Sequence, residues 1–136
     1  MTRAEGDELK PLEIDPIRPA AMADMAVILA DPNPIHLDAA VVRALGLGDR
    51  EIVQGPIGVG FLLDMLAGAL PEARVEKLDV RFLANVFAGD SLTAAGRVER
   101  VERSPEGDRL RCRVWLDVMG GARVVDGAAT VLVASG

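Results

Sequence analysis

Scarcity marks this sequence. Its 136 residues include one cysteine, one histidine, one tryptophan, three phenylalanines and no tyrosine. A lone Cys112 rules out an internal disulfide, and a reducing compartment is the simpler expectation. One histidine and one cysteine cannot build a His- or Cys-rich zinc site, so no metal is expected. Basic residues are also in deficit, with a net charge of −6. Nucleic acid is therefore excluded as the main partner, because phosphate binding needs a basic face. No apolar run is long enough to span a bilayer: the longest, Pro56–Leu70, is interrupted by Asp64. Met1–Lys10 is polar and charged, unlike a signal peptide. The expectation is a cytoplasmic protein without a membrane partner. No G-x-S-x-G elbow, Walker loop or dinucleotide-binding glycine motif occurs.

What is present suits one domain with a real core. Half the residues are apolar, and a chain of this length buries roughly two-thirds of its unfolded surface. Residues 1–10 read as a flexible tail, and 11–136 as a single domain. Leu12, Ile14 and Ile17 suggest a short strand. Ala20 to Ala30 reads as a helix opened by Pro19 and ended by Asp31-Pro32-Asn33-Pro34. Asp38 is placed to cap a short helix, Ala39–Leu45, stopped by Gly46. A longer helix, Pro56–Leu70, is apolar nearly all round and belongs inside the molecule. From there the apolar period becomes two, predicting strands over Leu78–Val86, Leu92–Val98, Leu110–Val118 and Val125–Val133. Short turns between long strands imply antiparallel neighbours. The fold class is α+β: about five antiparallel strands, either wrapped around the apolar helix or layered beneath the helices. The apolar helix favours wrapping.

Chemistry concentrates in Asp31-Pro32-Asn33-Pro34-Ile35-His36-Leu37-Asp38. Prolines limit the loop's unfolded freedom and can hold Asp31 and His36 at a set separation. Each residue also has a plainer reading. His36 is a structural or exposed loop residue, Asp31 an Asx-turn residue, and Asn33 a loop brace in place of a substrate contact. Gly55 opens the long helix, where free N–H groups and the positive dipole end suit a developing oxyanion. Pro56 has no N–H, so Gly55 is the natural donor, unless it is only a turn glycine. Asp64 should be paired or at an edge, and Cys112 reads as core. Arg109, Arg111 and Arg113 share one strand face and read as solvated or as phosphate contacts. Arg81 could serve the same end.

The run Asp31-x-Asn33-Pro34-Ile35-His36-x-Asp38, followed by Gln54-Gly55 at a helix start, resembles the MaoC-like (R)-specific enoyl-CoA hydratases and 3-hydroxyacyl-thioester dehydratases. Val80-Arg81-Phe82 and Ala88-Gly89-Asp90 are weaker points of likeness. The resemblance implies a hot-dog fold working in pairs, as a homodimer or with a different hot-dog chain. It implies a hydro-lyase acting on an acyl-CoA or acyl-carrier-protein thioester. In that reading Asp31 and His36 are the catalytic acid–base pair and Gly55 N–H holds the thioester oxygen. Asn33, Gln54 and Arg81 contact substrate, with no cofactor. Gln54 stands where many members of that family have His, and Gly60 where some have Ser. Val53-Gln54-Gly55-Pro56 resembles a branch of two-component dehydratases. Two other functions fit the same fold: a thioesterase using Asp64, and a non-catalytic acyl-binding subunit.

Overall fold

The computed structural model describes residues 2–134. Strand β1 (Leu12–Ile14) leads to helix α1 (Pro19–Ile28), a single 3₁₀ turn at Pro34–His36, and α2 (Ala39–Ala44). Helix α3 (Gly55–Ala69) follows, then β2 (Ala73–Phe82), β3 (Leu92–Ser104), β4 (Gly107–Val118) and β5 (Arg123–Ala134). The five strands form one antiparallel sheet in the order β1-β3-β4-β5-β2. This is the expected hot-dog fold of the α+β class.

The core explains why. Leu110, Cys112, Val114 and Leu116 alternate along β4, each essentially inaccessible, while Arg109, Arg111 and Arg113 project from the other face. Fully burying side chains of this size stabilises by about 1.5–3 kcal/mol each. The inner face meets Gly58, Leu62, Met65, Leu66 and Ala69 of α3. The helix is not buried all round, however. Pro56, Leu63, Asp64, Ala67 and Gly68 are exposed, because a sheet of five strands covers one side of a helix only. Asp64 thereby avoids the cost of burial. Burial also raises the Cys112 thiol pKa to about 11, so its thiolate is scarce and the group is packing, not chemistry.

Several boundaries differ from expectation: β4 and β5 begin at Gly107 and Arg123, earlier than Leu110 and Val125, and α1 ends at Ile28, before Ala30. Strand β2 begins and ends earlier than Leu78–Val86. It is an edge strand whose exposed Arg74, Glu76, Lys77 and Asp79 blunt the edge, and a bulge between Val75 and Lys77 breaks the period before Leu78. Beyond Phe82 the chain leaves the sheet and joins the segment before α3: Val53 N–H donates to Val86 and Ala88 N–H to Glu51. Strand β3 runs on to Ser104 because a bulge between Val98 and Arg100 shifts the alternation. The expected tail over 1–10 is not free either. Gly6 and Leu9 donate to Val98 and Gly96, Val98 donates to Asp7, and Leu9 is buried. Apolar residues scattered at Ala4 and Leu9 in a polar run left no periodicity to read; Met1, Ser135 and Gly136 lie outside the described residues.

Glycine at 127 is required by a close approach. A Cβ there would lie 2.3 Å from the Asp79 carbonyl oxygen of β2, and backbone cannot yield as a flexible side chain can. Gly127→Ala should therefore cost about 1–3 kcal/mol and lower the thermal midpoint. Gly68→Ala, on the open side of α3 with nothing within 4 Å, should raise it slightly, since alanine is the better helix former. Thermal unfolding of the two variants checks both signs.

Candidate active site

The loop carrying Asp31 and His36 is built by local hydrogen bonds. Helix α1 closes in a Schellman arrangement: Asp31 N–H donates to Ala26 at 2.9 Å and Ala30 N–H to Val27 at 3.2 Å. This places Ala30 in the left-handed region, at φ 50°, where glycine is usual. Asp31 Oδ1 then accepts from Asn33 N–H at 3.1 Å, and Asn33 Oδ1 accepts from Ile35 N–H at 3.3 Å. The two side chains start the 3₁₀ turn that presents His36. Asp38 caps α2 by accepting from Ala40 N–H.

His36 is held from behind. Its Nδ1 lies 2.6 Å from the Ile52 carbonyl oxygen. A carbonyl only accepts, so Nδ1 carries the proton and donates. Nε2 is left to face Asp31 Oδ2 at 3.4 Å. That separation is longer than a strong hydrogen bond, so each group retains capacity toward a third. Ile52 is itself pinned, its N–H donating to Ile35 at 2.9 Å. The single histidine and the aspartate thus meet across the four intervening residues of a braced loop.

A cavity of about 220 Å³ opens beside His36, with Val53, Gln54, Gly55, Phe82 and Asn85 on its wall. Gly55 is the first residue of α3, and no described hydrogen bond takes its N–H. The Phe82 ring, 58% exposed, stands against it: a Cβ on Gly55 would lie 3.1 Å from the ring. On the other side of the loop, Asp31 borders a separate open depression with Ala23, Val27 and Leu37.

Other expected site residues are placed differently. Asn33 spends its side-chain oxygen on the loop, as the plainer reading has it. Gln54 turns toward α1, donating from Nε2 to the Met22 carbonyl at 2.8 Å. Arg81 is not brought to the cavity: it projects from the opposite face of β2, into a depression with Asp79, Glu99, Arg113 and Asp126. Strand alternation sends neighbours to opposite faces, so Phe82 takes the cavity and Arg81 cannot. Arg109 is held by Glu76 through a 2.6 Å bond and keeps that carboxyl below its ordinary pKa. Arg113 is paired with Asp126 at 2.9 Å. Asn85, which the sequence did not single out, and Phe82, noted only within Val80-Arg81-Phe82, also line the cavity. Only the departure of the chain from β2 after Phe82 brings residue 85 to the mouth of α3.

This chain combines a hot-dog sheet, a braced loop that brings His36 to Asp31, and a helix N-terminus beside the His36 cavity. A model of the MaoC-like domain matches residues 2–119, and the chain belongs to that family. Among solved structures, an (R)-hydratase from A. caviae involved in PHA biosynthesis is 25% identical with a TM-score of 0.86, covering 97% of this chain and 98% of that one. R-hydratase PhaJ1 from Pseudomonas aeruginosa is 23% identical with a TM-score of 0.82, over 98% of this chain and 84% of that one. A chain of the ChsH1–ChsH2 complex from Mycobacterium tuberculosis is 18% identical with a TM-score of 0.82, over 97% and 99%. The last two bear on the fold alone. No curated protein matches the sequence.

Proposed function

We propose that this chain is a hydro-lyase that adds water reversibly across trans-2-enoyl thioesters. The observation that carries this reading is the contact of His36 Nε2 with Asp31 Oδ2, beside a cavity that also holds the start of α3. Membership of the MaoC-like family supports it, as does likeness to an (R)-hydratase over nearly the full length of both chains.

The chemistry follows from the placement. Asp31 and His36 hold one water and take one of its protons as its oxygen bonds to C3. The C2–C3 π pair moves toward the thioester, whose oxygen gains charge. Gly55 N–H, at the positive end of α3, stabilises that oxygen. The proton returns from the pair to C2, and the carbonyl reforms. Water is added, the pair ends as it began, and no net oxidation occurs, so the step calls for no metal or redox cofactor. Asn33 acts through the loop by holding the turn that presents His36.

The carrier is CoA or an acyl carrier protein. Incubating the purified chain with a panel of enoyl thioesters on both carriers should give loss of the conjugated thioester absorbance. Release of free thiol without hydration would overturn the reading in favour of a thioesterase. Asp64, the residue that alternative needs, is exposed on the far side of α3. The protein works in pairs, with a second copy or another hot-dog chain. Val27 and Ile28 of α1 are 81% and 74% exposed, an apolar surface of the kind that a partner covers. Light scattering should find a dimer at micromolar concentration. A monomer that is fully active alone would overturn the pairing.

A further inference from the structure

Helix α1 carries Asp31 at its end, yet little holds α1 in place. Of its residues only Met22 is buried. The exception to this loose attachment is Gln54, which is 1% exposed and donates from Nε2 to the Met22 carbonyl at 2.8 Å. That carbonyl lies inside the helix, where the amide four residues on is its ordinary donor. Gln54 supplies a second one from 32 residues away in sequence. Its own backbone is the N-cap of α3, immediately before Gly55. One side chain therefore spans the helix that ends in the carboxylate and the turn that presents the oxyanion donor.

The other half of the amide sharpens the point. Because the Met22 carbonyl can only accept, the orientation of the Gln54 amide is determined, and Oε1 must face away from it. Oε1 is buried and has no partner among the described residues. A buried acceptor without a donor costs stability, and an apolar side chain of similar size would avoid that cost. An amide here is thus a poor choice for packing. It does one thing that an apolar residue cannot: it fastens α1 to the start of α3.

We propose that Gln54 is a positioning residue, which sets the distance between Asp31 and the Gly55 N–H by holding the Met22 carbonyl of α1. The proposal rests on the hydratase reading for its kinetic consequence, but not for its structural one. It replaces direct substrate contact by this residue.

Three substitutions and two readouts test it. Gln54→Leu removes the tie and the unpaired acceptor together. Its thermal midpoint should hold or rise, while amide hydrogen exchange across α1 quickens. Its kcat should fall about ten- to a hundredfold, as expected for a small misplacement of reacting groups, with KM little changed. Gln54→His keeps an N–H donor and should recover most of the rate. Gln54→Glu donates to Met22 only when protonated, so its rate relative to the parent should rise as pH falls. A packing role moves neither that pH profile nor the kcat-to-KM split. Parental exchange and parental kcat in Gln54→Leu would overturn the proposal, as would a rate loss that merely follows lost stability. Should the parent chain hydrate no enoyl thioester, the hydratase reading fails, and the exchange of α1 still decides whether Gln54 holds the helix.

Discussion

Replacing Asp31 with Asn, or His36 with Ala, should lower kcat for enoyl-thioester hydration by about 10²–10⁴, the usual worth of a positioned acid–base group. Folding should change little, because neither side chain is part of the core. The two losses should not add. The groups lie 3.4 Å apart and are proposed to act on one water, so the double variant should be scarcely worse than the poorer single one. Asp31→Asn has a particular value. It keeps a side-chain oxygen to accept from Asn33 N–H, so the loop keeps its shape while the carboxylate is lost. A His36→Ala chain loses both the contact with Asp31 and the bond to Ile52, and its loop should loosen more. Steady-state rates and thermal midpoints of the three variants check this. Near-parent rates in both single variants would return the loop to a structural role.

The next largest effect is expected at Gly55, where the group of interest is a backbone N–H. Proline removes it. Gly55 is the first helical residue, a position where proline is well tolerated. Gln54 before it already has an extended backbone, at φ −61° and ψ 136°, as a residue before proline requires. Gly55→Pro should therefore fold and should lose about 10²–10³ in kcat, the measured range for one oxyanion donor. The ring must also pass Phe82, since a Cβ at this position already lies 3.1 Å from it. Gly55→Ala is the control. It keeps the N–H and meets the same ring, so any loss it shows belongs to crowding. Phe82 is the exposed end of an edge strand and can give way. Loss of rate in Gly55→Pro far beyond that in Gly55→Ala assigns the difference to the N–H. Equal losses would remove Gly55 from the oxyanion role.

Much of the arrangement was legible in the residues themselves, for reasons that are local. Two prolines in three residues end a helix wherever they occur, so the break after α1 needed no tertiary context. Asp38 and Asn33 cap and brace by bonding backbone two residues on, which spacing alone predicts. Alternation along β4 is strong because the strand is central and buries one whole face. Helix α3 was found within a residue at each end, since Pro56 and Pro71 bracket it. The Asp31–His36 pair stood out because no other histidine competes and the loop between them is short.

Other features depend on neighbours that sequence spacing does not reveal. Edge strand β2 shows its period only from Leu78, because the bulge between Val75 and Lys77 breaks the alternation that Ala73 and Val75 begin. The bulge in β3 moves every later side chain to the other face, and only pairing with β4 shows where. Arg81 was the candidate on this strand, but the register of β2 against β5 sent it outward and brought Phe82 to Gly55 instead. The tautomer of His36 is set by the Ile52 carbonyl, 16 residues away, and the duty of Gln54 by a carbonyl 32 residues away. The sequence by itself determined the class of fold, the helix that fills it and the loop that bears Asp31 and His36, because caps, proline breaks and apolar periods act over a few residues. Tertiary structure alone decided which groups meet across the cavity, because contacts between distant segments depend on strand register and helix placement.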